Sequence, residues 1–279
     1  AWQVNGIAIC DNSNIQIPTC IIMGSDTTII FVWNDQRNGF ANRDVYAQNI
    51  KINGLPQWAI NGIAVCDTIN RQSSGQLVSD GNGGAIFCWV DERNGNRSIY
   101  AQRVNSFGQR LWSDQGNAIC TADSSSFSEI VFDGKSGAII CWQDKRSGNW
   151  DIYAQHIDSL ANILWGMNGM TVCNANNNQG GIVFVPSDSN TAIIAWDDYR
   201  NTTSARGYAQ KVGDEIIGIN ENLQHTENMQ NDNILNIYPN PFSKQTTITY
   251  KTGNKTKYIE LKIFDVMGRL VNEHSCQAF

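Results

Sequence analysis

Short apolar runs, each ended by glycine, asparagine or aspartate, recur along most of the chain. The stretch 85–93 is the clearest of them. Phe87 and Trp89 lie on one of its faces by a period of two. Ile86 and Cys88 lie on the other face, so its first half is apolar on both sides and is expected to be covered on both sides. Because no run keeps the helical period, the pattern predicts strands.

The residues around this stretch predict four short antiparallel strands. The strands cover 58–66, 76–78, 85–93 and 98–104. The turns between them are signalled by Asp80–Gly84 and Asn94-Gly95, since glycine adopts the positive φ that tight turns require. Four short antiparallel strands in succession are typical of one blade of a β-propeller.

The same pattern occurs four times, at intervals of about 54 residues. The phrase Trp-x-Asp-x-Arg, followed by Tyr-Ala-Gln, begins at Trp33, Trp89, Trp142 and Trp196. A second tryptophan opens each copy, at Trp2, Trp58, Trp112 and Trp165. The copies cover 1–54, 55–108, 109–161 and 162–212. The sequence therefore predicts an all-β, propeller-type array of four four-stranded repeats. We expect it to be part of a larger ring, because an open array leaves strand edges exposed.

The pattern stops after the fourth copy. Residues 213–233 are polar and rich in asparagine and glutamate, which predicts a flexible linker. Residues 234–279 form a second module with two alternating strands, 246–250 and 259–264. Its most distinctive residues are Tyr238, Pro239, Asn240 and Pro241 at its start and Asp265, Gly268 and Arg269 in a later turn.

These motifs resemble the C-terminal sorting domain of the type IX secretion system of Bacteroidetes, over about 234–272. The resemblance implies a small β-sandwich, the secretion machinery as a partner, and export to the outer-membrane surface or the extracellular space. The family continues with a Gly-x-Tyr strand and a basic tail that do not occur before Phe279, so we expect the module to be truncated. The repeats resemble propeller-like repeats of secreted Bacteroidetes proteins, through Asp151–Gln155 and the recurring Leu-Trp pairs.

Charge and composition narrow the class of partner. The net charge of −6 argues against nucleic acid and anionic membranes, which both need a basic face. No apolar run is long enough for a transmembrane helix. The chain begins at Ala1 inside a repeat, so we expect further sequence before it.

The eight cysteines follow the repeat rather than a disulfide framework. One position of the repeat holds Cys10, Cys66, Cys120 and Cys173. Cys88 and Cys141 share another position, which holds Val32 and Ala195 in the other copies. These substitutions indicate small, buried, apolar sites for free thiols. Cys20 breaks the pattern, and it could pair with Cys10 across a hairpin.

The recurring Asp, Arg, Tyr and Gln side chains could be taken for catalytic or binding groups. Fourfold repetition places each of them at the same position of its own blade, which favours a structural role. The three histidines are scattered, so neither a Ser/His/Asp set nor a zinc site is predicted, and we expect no catalytic residues. No cofactor is expected. The alternative is calcium at the turns Asp80–Gly84 and Asp133–Gly137, although each offers a single carboxylate.

Trp150 is the tryptophan that does not recur, and we take it as a candidate ligand-binding residue because an exposed aromatic can stack on a sugar or a partner side chain.

The sequence predicts a secreted or cell-surface, non-enzymatic binding or adhesion protein whose ligand is a glycan or a protein. One alternative is a secreted, glycan-active hydrolase with its catalytic residues in missing sequence, and another is a structural stalk. A repeat-breaking cluster of Asp, Glu, Tyr or His would favour the hydrolase, and none is visible in the sequence.

Overall fold

The computed structural model of the protein describes residues 2–122, 124–201 and 204–213, and the backbone of four C-terminal strands. The chain divides into two compact units, residues 1–219 and residues 220–279. Each unit has its own strand pairing and is described separately.

Antiparallel strands build the first unit, with one 3₁₀ turn at Phe40–Asn42. Its described strands are β1 (Gln16–Ser25), β2 (Thr28–Asp35), β3 (Asp44–Lys51), β4 (Ile63–Cys66), β5 (Gln72–Ser79), β6 (Ala85–Asp91), β7 (Ser98–Val104), β8 (Asn117–Cys120), β9 (Ser126–Phe132), β10 (Ala138–Asp144), β11 (Asp151–Ile157), β12 (Met170–Cys173), β13 (Gln179–Pro186), β14 (Ala192–Asp198) and β15 (Arg206–Val212). Strands β1–β4, β5–β8 and β9–β12 form the first, second and third sheets, and β13–β15 form the fourth. The predicted all-β, propeller-type array is confirmed.

The sheets are offset from the predicted repeat boundaries. The strand that was expected to open the second repeat is shortened to β4, and it pairs with β3 of the preceding repeat. The side chain of Gln48 explains this connection. Its Nε2 donates to the carbonyl of Ala59 at 2.7 Å, and its Oε1 accepts from the amide of Trp58 at 3.1 Å. The recurring glutamine therefore fastens the loop that leads into the last strand of its own sheet.

Neighbouring sheets pack through both faces of their second strands. Phe87 and Trp89 lie in one core with Val32 of the preceding sheet. Ile86 and Cys88 lie in another core, with residues of the third sheet. All four of these β6 side chains are fully buried, as the two-sided apolar pattern predicted. Each inner sheet is therefore held by its two neighbours.

The outer faces of the first and fourth sheets lack such cover among the described residues. Ile21 and Met23 are 56% and 54% exposed, and Val183 is 65% exposed. The seven cysteines that the structure describes are free thiols, Cys10 and Cys20 among them. The alternative of a disulfide between these two residues is thus not realised.

The second unit contains two antiparallel pairs in its described part. Ile234–Tyr238 (β16) pairs with Thr247–Lys251 (β17), and Tyr258–Phe264 (β18) pairs with Leu270–Gln277 (β19). Strands β17 and β18 match the two predicted strands within a residue at each end. The other predicted sorting residues and most of the linker lie outside the described residues: Pro239, Asn240, Pro241, Asp265, Gly268, Arg269 and 214–233. Across the described part of the chain, no helix has the length and apolarity to span a membrane.

Candidate functional site

The recurring Trp, Asp, Arg and Tyr side chains form one closed set in each sheet. In the second sheet, Asp91 is fully buried and accepts from Trp89 Nε1 at 2.8 Å and from Arg93 Nη2 at 2.6 Å. The Cζ atom of Arg93 lies 3.9 Å from the ring centroid of Tyr100. Arg93 also donates to the carbonyl of Gln115 at 2.9 Å, which ties it to the loop before β8.

The other three sheets repeat the Trp–Asp, Arg–Asp and Arg–Tyr contacts. The equivalent sets are Trp33, Asp35, Arg37 and Tyr46; Trp142, Asp144, Arg146 and Tyr153; and Trp196, Asp198, Arg200 and Tyr208. Each guanidinium is occupied by a carboxylate and a tyrosine ring of its own sheet. Within each set the carboxylate, the indole N–H and the guanidinium bind one another inside a single sheet, which favours a structural role.

The turn aspartates considered as calcium ligands have protein partners. Asp80 Oδ1 accepts from the amides of Asn82 and Gly84 at 2.8 and 2.9 Å, and its Oδ2 accepts from Arg103 Nη2 at 2.9 Å. Asp133 Oδ1 accepts from the amide of Gly137 at 2.9 Å. Within the described residues, no group of three or more His, Cys, Asp or Glu side chains is arranged to hold a metal ion.

A histidine replaces the arginine at the turn of the third sheet. His156 Nε2 lies 3.1 Å from Asp133 Oδ2, and both side chains are almost completely buried. Burial alone would raise the pKa of Asp133. Hydrogen bonds from His156 and from the amides of Lys135 and Gly137 outweigh burial, so the pKa of Asp133 lies below its ordinary value of 3.8.

This depressed pKa predicts a loss of stability in acid. Below the ordinary value of 3.8 the unfolded state binds the proton more readily than the folded state, so the free energy of unfolding falls as the pH drops towards the folded pKa. Unfolding by urea between neutral pH and pH ~3 should show this slope in the wild type and a shallower slope in Asp133→Asn. Equal slopes in the two proteins would contradict the assignment. Asp114→Asn, at an exposed position, is the control.

A cleft of about 370 Å³ lies where the third and fourth sheets meet. Its ten lining residues come from the ends of β9, β10, β13 and β14 and from the loops next to them. They are Glu129, Gln143, Trp150, Asn178, Gln179, Gly180, Gly181, Ile182, Asp197 and Tyr199. The cleft thus contains two carboxyl groups, two aromatic rings and three amide side chains.

Two glycines in β13 keep the cleft open. A Cβ atom at Gly180 would lie 2.8 Å from Gln143 Oε1, and a Cβ atom at Gly181 would lie 2.6 Å from Asp197 Oδ2. Gly181 also has a φ of +62°, which few other residues adopt readily. The register between β13 and β14 shifts at this point. The same shift occurs at the equivalent place in the other three sheets, so the bulge belongs to the repeat and the two glycines are what differs here.

The carboxyl groups of the cleft stand at positions where the repeat is broken. In each sheet, the residue just before the recurring tryptophan pairs with a residue on the neighbouring first strand. That partner is Glu129 in the third sheet and an uncharged residue in the others: Cys20, Gln76 and Val183. The residue after that tryptophan is Asp197 in the fourth sheet; in the others it is Asn34, Val90 and Gln143. The acids are therefore specific to this junction.

The two aromatic residues are also specific to the junction. Trp150 takes the place of Arg43 and Arg97 in the first two sheets, and Tyr199 takes the place of Glu92 and Lys145 in the second and third. Trp150 is partly buried, and its amide donates to Asn178 Oδ1 at 3.1 Å. Tyr199 is 37% exposed. Of these four residues, the sequence singled out Trp150 alone.

The two carboxyl groups have different environments. Glu129 lies on β9 beside Cys141, and burial raises its pKa above the ordinary value. Asp197 is exposed, next to the backbone of Gly181. A cleft lined by one carboxyl group with a raised pKa and one that is exposed to solvent is typical of acid–base sites.

The comparisons with known proteins concern both units. Residues 236–278 match the family model of a secretion system C-terminal sorting domain. The resemblance predicted from the sequence is confirmed, and the domain directs the protein to the cell surface or the extracellular space through the type IX machinery. A comparison with curated proteins finds no match.

Several solved structures are similar to this chain at low identity. An endo-arabinase from Bacteroides thetaiotaomicron has 10% identity, with 97% of this chain and 96% of that chain covered and a TM-score of 0.42. A thermostable family-43 glycoside hydrolase has 9% identity, coverage of 75% and 72%, and a TM-score of 0.42. A polysaccharide lyase has 8% identity, coverage of 91% and 72%, and a TM-score of 0.44.

The prediction of a non-enzymatic binding or adhesion protein is wrong. The similar solved structures are glycoside hydrolases and a polysaccharide lyase. The prediction depended on the absence of a repeat-breaking cluster of Asp, Glu and Tyr. Glu129, Asp197 and Tyr199 form such a cluster, and Glu129 is far from the other two in the sequence, so only the packing of the third sheet against the fourth reveals it.

Proposed function

We propose that the protein is a secreted, glycan-active hydrolase and that the cleft between the third and fourth sheets is its active site. The observation that supports this most directly is the pair of carboxyl groups in one cleft, Glu129 with a raised pKa and Asp197 exposed to solvent. Glycosidases generally need one carboxyl group that keeps its proton and a second one that is ionised.

The two groups have distinct roles in this proposal. Glu129 donates its proton to the glycosidic oxygen as the bond from that oxygen to the anomeric carbon breaks. Asp197 accepts a proton from the water molecule whose oxygen forms the new bond to that carbon. The products are two shorter sugars, one of them with a new reducing end.

The remaining lining residues suit a sugar. The rings of Trp150 and Tyr199 offer apolar faces for the C–H groups of a sugar. The amides of Gln143 and Asn178 can donate to and accept from hydroxyl groups. Export by the sorting domain would bring this cleft to extracellular polysaccharides.

The test is the release of reducing ends from a panel of soluble polysaccharides by the full chain. We expect hydrolysis of at least one of them and a loss of about 100-fold or more in Asp197→Asn, because general acid–base groups contribute on that scale. Asp114→Asn, whose side chain is 82% exposed in the loop before β8, should keep wild-type activity. No release from any polysaccharide, or equal rates in Asp197→Asn, would contradict the proposal.

A further inference from the structure

Positive charge is absent from the lining of the cleft. Among the ten described residues that line it, none is a lysine or an arginine, while Glu129 and Asp197 are acidic. The arginines that follow strands β10 and β14 bind carboxylates of their own sheets and do not line the cleft. Arg146 and Arg200 donate to Asp144 and Asp198, and each lies over a tyrosine ring of its own sheet.

The first two sheets have an arginine at the position where the third sheet has the cleft tryptophan. The carbonyls of Arg43, Arg97 and Trp150 accept from an amide at the start of the next sheet, at 2.6, 3.0 and 2.6 Å. These three side chains therefore leave the backbone at equivalent places. Arg97 donates to Ser126 Oγ at 3.3 Å across its junction, whereas Trp150 lines the cleft. The exchange of arginine for tryptophan removes a charge and adds a ring face at this one junction.

We infer that the cleft selects neutral glycans over glycans that carry carboxylate or sulfate groups. This inference rests on the proposed hydrolase function for its catalytic step. A uronate or sulfate group entering the cleft would lose water, meet two acidic side chains and find no cation to pair with. A neutral sugar meets the amides of Gln143 and Asn178 and the ring of Trp150, which match hydroxyl groups and C–H faces.

One lysine, Lys145, contacts a residue of the cleft without lining the cleft itself. Its Nζ lies 4.7 Å from the ring centroid of Trp150, so the ammonium is held by a cation–π contact. If this lysine recruited anionic sugars, Lys145→Gln would lose them. We expect Lys145→Gln to leave the preference for neutral glycans unchanged.

The test compares two neutral polysaccharides, xylan and glucomannan, with polygalacturonate and a sulfated galactan. Hydrolysis is followed by reducing ends, and binding by retardation in native gels that contain each polymer. We expect a neutral polymer to be cleaved and to retard the protein, and the anionic polymers to do neither. Cleavage of an anionic polymer, alone or as fast as cleavage of the neutral ones, would overturn this inference and leave the hydrolase function standing. Retardation by a neutral polymer without cleavage of any polymer would support the selectivity and overturn the hydrolase function. If neither neutral polymer retarded the protein, the selectivity would be overturned.

Trp150→Arg is the sharpest variant, since it restores the residue of the first two sheets. We expect it to weaken retardation by the neutral polymer by about tenfold, because the stacking face is lost. Its melting temperature should match the wild type, since arginine is compatible with this backbone position at Arg43 and Arg97. Unchanged retardation by the neutral polymer in a folded Trp150→Arg protein would overturn the role of the tryptophan and the selectivity inferred from it.

Discussion

Glu129→Gln should reduce the hydrolysis of the cleaved polysaccharide by about 10²- to 10⁴-fold, because an amide is too weak an acid to transfer a proton to the leaving oxygen. The two side chains have nearly the same shape, so the sheet should be retained. The pH profile gives a second readout. Since Glu129 acts in its protonated form, wild-type activity should fall as the pH rises through its raised pKa.

A matched change tests whether the effect belongs to the cleft. Glu92→Gln makes the same substitution in the second sheet, where Glu92 is 4.0 Å from Arg97 and takes the place of Tyr199. It should keep wild-type rates and the wild-type pH profile. If Glu129→Gln retained full activity, or if wild-type activity did not fall as the pH rose from acid to alkaline, Glu129 would not be the proton donor.

Trp89→Ala should lower the free energy of unfolding by about 3–5 kcal/mol, the range for a buried aromatic residue cut back to alanine. Trp89 is fully buried between the first and second sheets, and its Nε1 donates to Asp91 Oδ2 at 2.8 Å. The alanine variant would leave a cavity and remove a hydrogen bond from a buried carboxylate. Urea unfolding followed by circular dichroism measures the change.

Trp150→Ala is the comparison for this prediction. Trp150 is partly buried and lines the cleft instead of a core between sheets, so its removal should change the free energy of unfolding much less. A loss below about 1 kcal/mol in Trp89→Ala would contradict the packing role of the recurring tryptophans.

The repeating part of the fold could be predicted from the sequence because each sheet carries its own complete set of contacts. Trp89, Asp91, Arg93 and Tyr100 lie within a dozen residues and bind one another, so their spacing is visible in the chain. The sheet boundaries could not be predicted in the same way. The spacing between copies is the same whichever residue is taken as the first of a repeat, so it does not show where a sheet begins. The pairing of β4 with β3 shows where the first sheet ends.

The candidate site required the packing of two sheets. Glu129 and Asp197 lie on different sheets; Glu129 belongs to no recurring phrase, and Asp197 fills a variable position of Trp-x-Asp-x-Arg. A signal was nevertheless present in the sequence, because both residues replace uncharged ones at equivalent positions of the other copies. Trp150 could be predicted in this way, because the other copies have no tryptophan at its position. Applying the same comparison to acidic residues would have pointed to Glu129 and Asp197.

The central claim is that recognition belongs to the residues that differ between the copies, and that the recurring side chains hold the sheets together. A crystal structure of Glu129→Gln with an oligosaccharide of the cleaved polysaccharide tests it most directly. The account predicts a sugar ring over Gly180 and Gly181, in contact with Trp150 and Asp197. A sugar bound instead against a recurring arginine–tyrosine pair, such as Arg93 and Tyr100, would contradict it.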